Sequence, residues 1–162
     1  MDWNEVTRLA VEGSILVAKD AMILLNQGET SPEWPHIACA PGEYIFEINV
    51  PVPFHAHRAR LRRIDSAPTL GEEIGTVDID HGFIGFIDYE KFLATVNDDP
   101  EAFEEWTEME LDDELAVNFS GEIGFGATKL LYVKSGDGDG TYSCFELTEN
   151  ATPVGIECVF KT

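Results

Sequence analysis

Two neighbouring segments in which side chains alternate between apolar and polar constrain the fold of this chain most. In residues 43–50 one face is apolar throughout and carries Tyr44, Phe46, Ile48 and Val50. In residues 55–64, on the face opposite Leu61, three basic side chains follow one another: Arg58, Arg60 and Arg62. A period of two is typical of strands with one buried face. Pro51 and Pro53 end the first strand or place it at a sheet edge.

Further strands are predicted between residues that favour turns. Short apolar or alternating runs occupy residues 14–18, 74–79, 83–87, 115–119, 127–134, 141–147 and 153–160. Residues 80–82 and 135–140 are rich in Gly and Asp, and we predict that each joins its flanking strands into a hairpin. The chain is therefore predicted to be mainly β (α+β), an antiparallel sandwich or open barrel of about eight strands with one or two short helices. Its 162 residues suit a single domain, 1–162.

Two helices are predicted from caps and apolar spacing. The first begins at Asn97 or at Asp98–Asp99, has Pro100 in its first turn, and carries acids at its N-terminus, where the helix dipole favours them. Its inward stripe is Phe103, Trp106 and Met109. The second, shorter helix begins after Asp2 and places Trp3, Val6 and Leu9 on one face.

Acidic residues are concentrated in the second part of the chain. The formal net charge is −21, residues 65–162 hold 23 acids and 4 bases, and Asp98–Glu114 holds 10 acids and no base. Direct binding to nucleic acid is disfavoured, because phosphate contacts need Lys and Arg. The charge instead favours long-range attraction of a basic partner, with solubility alone as the alternative explanation.

The arginines of residues 58–63 form the one basic cluster in the sequence. Guanidinium groups on one strand face could bind a carboxylate or a phosphate. They could equally pair with acids of this same chain, and the excess of acids makes internal pairing the simpler expectation.

The cysteines and the lack of long apolar segments indicate the cellular compartment. Cys39, Cys144 and Cys158 are odd in number and widely spaced, without the close pairs of a zinc site. We predict three free, buried thiols in a reducing cytoplasm. The first residues carry acids where a secretion signal carries Lys or Arg, and no apolar run reaches 18 residues, so we expect no signal peptide and no membrane partner.

Seven residues are candidates for binding a small ligand or a metal ion. They are His55, His57, Asp78, Asp80, His81, Asp137 and Asp139. His55 and His57, predicted on one strand face, have a spacing that zinc can use, although no third ligand is evident nearby. We expect no cofactor, and calcium or zinc stay open as alternatives.

The aspartates among these candidates have two interpretations each. Asp137 and Asp139, with Glu146, follow part of a calcium-loop pattern, which a hairpin turn explains equally well. Asp78 and Asp80 could supply paired carboxylates for acid–base catalysis, and ordinary surface carboxylates are the other, favoured explanation. No nucleophile elbow accompanies them.

Four landmarks carry a resemblance to a known family. They are Pro41-Gly42-x-Tyr44, Arg58-x-Arg60, Val77-Asp78 through Gly82 to Ile87-Asp88, and Ser135-Gly136-x-Gly138-Asp139-Gly140-x-Tyr142. Over residues 13–160 the chain resembles an uncharacterised bacterial family of small, β-rich cytoplasmic proteins with a C-terminal S-G-x-G-D-G-x-Y hairpin. Some similar proteins are thought to be immunity partners of secreted toxins. The resemblance therefore implies binding rather than catalysis, and it assigns no site residue.

Two classes of function follow. The favoured one is a non-catalytic acidic protein that neutralises or sequesters a basic protein such as a toxin or nuclease, as an immunity-type or DNA-mimic-type inhibitor. Its predicted contact residues are Glu101, Glu104, Glu105, Trp106, Glu108, Glu110, Asp112 and Asp113. The alternative is a small-ligand-binding protein or a hydrolase that uses Asp78, Asp80 and His81.

Overall fold

A computed structural model describes residues 1–21, 34–107, 115 and 117–161. The predicted Met109, and the start of the loop predicted over 27–42, lie outside these residues. The strands are β1 (Asn4–Val11), β2 (Ile15–Asp20), β3 (His36–Ala38), β4 (Gly42–Asn49), β5 (Arg58–Arg63), β6 (Thr69–Ile79), β7 (Phe83–Asp88), β8 (Ser120–Phe125), β9 (Thr128–Lys134), β10 (Gly140–Glu149) and β11 (Thr152–Val159). The helices are α1 (Tyr89–Asp98) and α2 (Pro100–Trp106).

The strands form two antiparallel sheets. Sheet A has the order β1-β4-β5-β11-β10-β6, and sheet B has the order β3-β2-β7-β9-β8. The predicted mainly β (α+β) antiparallel sandwich is confirmed, with eleven strands among the described residues where about eight were predicted, and neither sheet closes into a barrel. In the described part of the chain, no helix is long and apolar enough to cross a membrane.

Side chains of alternating direction give sheet B two buried faces. Ile84, Phe86 and Leu131 join the core between the sheets, whereas Ile87 and Tyr132 join a second core under the helices. Phe92 of α1 and Phe103 of α2 pack into this second core, with their ring centroids 5.6 Å apart. The molecule therefore has three layers: sheet A, sheet B and a helical layer.

The N-terminal segment is a strand, so the helix predicted after Asp2 is wrong. β1 pairs with β4, and Val6 has no partner because a bulge lies between Glu5 and Thr7. The extra residue shifts the alternation, so that Val6 packs with Leu9 against the core between the sheets. A spacing of three that indicates a helical turn is here produced by a bulged strand.

Both predicted glycine-rich hairpins are wrong, because the flanking strands belong to different sheets. Residues 80–82 lead from β6 in sheet A to β7 in sheet B, and residues 135–139 lead from β9 in sheet B to β10 in sheet A. Val77 of sheet A and Ile84 of sheet B consequently enter the core between the sheets from opposite sheets instead of lying on paired strands. Gly82 has φ +75° and Gly138 has φ +106°, values that favour glycine at such sharp changes of direction.

The helical predictions are confirmed in part. α2 has the predicted cap at Asp99 and the predicted proline at its start. The strand predicted over 115–119 is wrong, because Leu115 and Val117 are helical. α1 precedes α2 and was not predicted.

Two of the three cysteines form a disulfide, which corrects the prediction of three free thiols. Cys144 on β10 lies directly opposite Cys158 on β11, and both are fully buried. Cys39 is free. Burial raises the pKa of its thiol to about 11, so Cys39 stays protonated and behaves as the small apolar residue that was predicted.

Candidate functional site

Two aspartates, Asp88 and Asp99, cap the helices of the helical layer. Asp99 Oδ1 accepts a hydrogen bond from the Ala102 N–H at 3.0 Å and so caps α2. Asp88, which ends β7, caps α1 through the Lys91 N–H at 3.4 Å and also accepts the Gly13 N–H at 3.0 Å. Asp88 is buried and binds backbone N–H groups at the end of β7 that lies away from Asp78 and Asp80.

Three carboxylates of α2 face solvent. Glu101, Glu104 and Glu105 are exposed and lie three and four residues apart, which places them on neighbouring positions of the helix surface. Among the described residues, no ion pair involves an acid between residues 98 and 107. Lys91 of α1 pairs with Glu12, which precedes β2, and not with an acid of α2. The helical layer therefore carries negative charge that this part of the chain does not neutralise.

Trp106 is a packing residue rather than an exposed anchor. Its ring lies 5.3 Å from the Phe125 ring and 6.1 Å from the Phe103 ring, and Phe103 is buried. An edge of Trp106 stays accessible, because the residue is half-buried. The other predicted contact residues lie outside the described residues; they are Glu108, Glu110, Asp112 and Asp113.

The candidate ligand residues gather at one end of the sandwich, which we call the crossover end; it comprises residues 52–57, 78–82 and 135–139. Ala56 forms a bridge with Ser135, and the Ser135 N–H donates to the Gly82 carbonyl at 2.9 Å. These contacts bring together three segments that are far apart in the sequence.

Asp20, the last residue of β2, binds the backbone of the crossover end and was not predicted from the sequence. Its fully buried carboxylate accepts the Asp80 N–H at 2.7 Å and the His81 N–H at 3.0 Å, and it lies 3.1 Å from His81 Nδ1. A buried carboxylate that receives three donors fixes the path of the connection. His81 is therefore engaged in holding the fold.

The remaining candidates face different neighbours. Asp78 accepts a hydrogen bond from Thr141 Oγ1 at 2.8 Å, and His55 Nδ1 lies 3.5 Å from Asp137 Oδ1. His55 and His57 precede β5 instead of sharing a strand face, which corrects that prediction. Within the described residues, no group of three His, Cys, Asp or Glu side chains could hold a metal ion.

The calcium-loop interpretation meets a geometric obstacle. Gly140 and Glu146 are the first and seventh residues of β10. Six residues of extended strand span about 20 Å, so Glu146 is carried away from Asp137 and Asp139. The loop therefore does not close around an ion as the pattern requires.

A groove lies on sheet A beside β10 and the end of β11. Its volume is about 470 Å³, and its lining includes Arg58, Phe145 and Lys161. Neither this groove nor the cavities bordered by Leu9 and by Ile15 are lined by Asp78, Asp80 or His81. No described cavity therefore favours a hydrolase at those residues.

The arginines of β5 pair internally, as expected. Arg58 Nη1 lies 2.8 Å from Glu157 Oε2 on β11, Arg60 Nη2 lies 3.4 Å from Glu47 Oε2 on β4, and Arg62 Nε also donates to Glu47. The Trp3 ring stacks over Arg60 at 4.0 Å. We call Arg58, Arg60, Arg62, Glu47 and Glu157 the arginine ladder. Each of its three arginines is paired within sheet A, with Glu47 shared by two of them.

Comparison of the chain with protein-family models, with curated proteins and with solved structures gives no match. The functional argument therefore rests on the residues and their geometry.

Glu157 supplies a pH-dependent prediction. Burial raises the pKa of its carboxyl above the ordinary value of 4.5, although Arg58 opposes the shift. The folded state then binds the proton more tightly than the unfolded state, so this contribution to stability is fullest below pH 4.5 and is lost as the pH rises through the folded pKa. Glu157→Gln should therefore gain stability relative to the wild type between acidic and neutral pH.

Urea unfolding of the wild type and of Glu157→Gln, below pH 4.5 and at neutral pH, measures the difference in their free energies of unfolding. Glu72→Gln, at an exposed position of β6, is the matched control and should follow the wild type at each pH. A difference between Glu157→Gln and the wild type that stays constant with pH would contradict the assignment.

Proposed function

We propose that this protein is a non-catalytic acidic binding protein that neutralises or sequesters a basic protein partner, such as a nuclease or a toxin. The observation that supports the proposal is the set of exposed carboxylates on α2 without an ion pair in the described part of the chain: Glu101, Glu104 and Glu105.

The distribution of charge gives this proposal its physical basis. Arg58, Arg60 and Arg62 are committed to glutamates of sheet A, so they do not offset the helical layer. Residues three and four apart on a helix have Cβ atoms about 5–6 Å apart. The α2 glutamates therefore form a row of negative charge that a phosphate-binding protein can bind. Such a field raises the rate of encounter with a basic partner and weakens as salt screens it.

The proposal includes a cytoplasmic location for the protein. A cytoplasmic location was predicted partly from free thiols, and the disulfide between Cys144 and Cys158 removes that support, because cytoplasmic proteins rarely keep one. Mass spectrometry of protein alkylated directly on lysis of its source cells tests the location. Because both cysteines are fully buried, the cells are lysed directly into denaturant that contains the alkylating reagent and no reductant. A cytoplasmic protein should then show Cys144 and Cys158 alkylated, and a protein from an oxidising compartment should not.

Capture from an extract of the source cells, at low and at moderate salt, tests the proposed binding. The immobilised wild type should retain one basic protein at low salt and less of it at moderate salt. Glu104→Lys/Glu105→Lys should lose that protein at low salt, because the two reversals replace attraction by repulsion at exposed positions that leave the core intact. Retention of the same protein by wild type and variant would contradict the proposal.

A further inference from the structure

The turn between β4 and β5 carries a side chain that its backbone does not favour. The His55 N–H donates to the Val52 carbonyl at 3.0 Å, and Phe54 has φ +64°. With Pro53 at the second position and a positive φ at the third, this is a type II turn, whose third position favours Gly or Asn. A bulky residue there is a conformational outlier that costs stability.

Burial does not compensate for this backbone conformation. Phe54 is 75% exposed and Val52 is 50% exposed, so the tip of the turn presents two apolar side chains to solvent. The Phe54 ring touches the Phe119 ring edge-on, with centroids 6.2 Å apart, and belongs to neither core. The edge contact with Phe119 is therefore the one described packing contact of the Phe54 ring, which otherwise faces solvent.

Carboxylates border this tip. His55, the next residue, pairs with Asp137, whose side chain is 78% exposed, and Asp139 is exposed on the same connection. Lys134 is also exposed on this side, ahead of that connection. An apolar centre with a polar rim is the usual arrangement of a protein–protein contact, and aromatic side chains supply most of the energy in such centres.

We propose that Phe54 is an anchor that inserts into an apolar pocket of a basic protein partner, with Asp137 and Asp139 facing the basic rim of that pocket. The net charge of −21 disfavours the two other occupants, because a second copy of this chain and an anionic membrane would both be repelled. This inference rests on the proposed function, but it uses a different surface. The two surfaces lie at opposite ends of β8. Phe54 contacts Phe119, which precedes the strand, whereas Trp106 of α2 contacts Phe125, the last residue of the strand.

The test is Phe54→Gly, which should change stability and binding in opposite directions. We expect relief of the positive φ to outweigh both the lost ring contact with Phe119 and the greater freedom of glycine in the unfolded chain, so the melting temperature should rise by about 2–4 °C. The Kd for the purified partner from the capture experiment should rise by about 30-fold, as expected for loss of a central aromatic contact. Leu70→Ser is the matched control, because Leu70 is 47% exposed at the far end of β6 and should leave the Kd unchanged.

The other outcomes would overturn the inference. A melting temperature lower by several degrees would make Phe54 a packing residue, whatever the partner does. An unchanged Kd for Phe54→Gly, with binding lost in Glu104→Lys/Glu105→Lys, would reject the anchor and leave the proposed function standing. A dimer in sedimentation that Phe54→Gly dissociates would identify a second copy as the occupant. Failure to recover any partner would reject both proposals.

Discussion

Replacing Glu47 with leucine should lower the free energy of unfolding by about 3–5 kcal/mol, the range for breaking a buried ion pair by removing one partner. The Glu47 side chain is 7% exposed and serves both Arg60 and Arg62. Its removal leaves two guanidinium groups that are 15% and 18% exposed without their carboxylate. Arg60 is affected more, because its Nε has no hydrogen-bond partner among the residues that the structure describes. Arg62, by contrast, also donates to three backbone carbonyls.

Urea unfolding at neutral pH measures this effect. Glu43→Leu is the matched control on the same strand, because Glu43 lies 3.9 Å from Arg8 and both side chains are about half exposed. Exposed pairs contribute about 0.2–1 kcal/mol, so this variant should differ little from the wild type. Equal effects of the two substitutions would show that the arginine ladder does not depend on Glu47.

Reduction of the disulfide should cost about 3 kcal/mol of stability. Cys144 and Cys158 are 14 residues apart, and closing a loop of about 15 residues removes that much conformational freedom from the unfolded chain. The comparison is urea unfolding with and without dithiothreitol. The double substitution Cys144→Ala/Cys158→Ala should have the stability of the reduced wild type and should not respond to the reductant.

Cys39→Ala is the control for this experiment, since Cys39 is the free cysteine and its replacement should leave the response to reductant intact. Alkylation after unfolding without reductant should label Cys39 alone in the wild type. Labelling of all three cysteines under those conditions would contradict the disulfide.

The disulfide depends on a register that the local sequence pattern does not show. Counting back from the turn, Glu149 pairs with Thr152 and Thr148 pairs with Pro153, a register that would set Cys144 opposite Glu157. A bulge then leaves Val154 without a partner and moves every later pair by one residue, so Cys144 meets Cys158. The strands were predictable from alternation, whereas this shift follows from pairing across the hairpin.

Sheet membership was not predictable for a similar reason. Alternation shows that β6 and β7 each have an apolar face, and a short Gly-containing link between them is equally compatible with a hairpin and with a connection between sheets. The choice is made by Asp20, which lies 60 residues before Asp80 and binds the backbone of the link. Non-local contacts of this kind leave no signal in a short window of sequence.

The candidate contact surfaces differ in how far the sequence reveals them. The α2 acids were predictable, because a capping Asp99, Pro100 and the apolar Phe103 define the helix and leave the glutamates outside. Phe54 was missed, because its exposure and positive φ belong to the folded turn. A Pro followed by an aromatic between two strands was the available signal.

The measurement that tests the account most directly is a calorimetric titration of the captured partner into three proteins at several salt concentrations. They are the wild type, Glu104→Lys/Glu105→Lys and Glu72→Lys/Glu73→Lys; the last changes two exposed glutamates of β6 and alters the net charge equally. We predict that the α2 variant binds about 10–100-fold more weakly and loses most of its salt dependence, whereas the β6 variant stays close to the wild type. Equal weakening by both variants would show that net charge alone attracts the partner, and would contradict a binding surface on the helical layer.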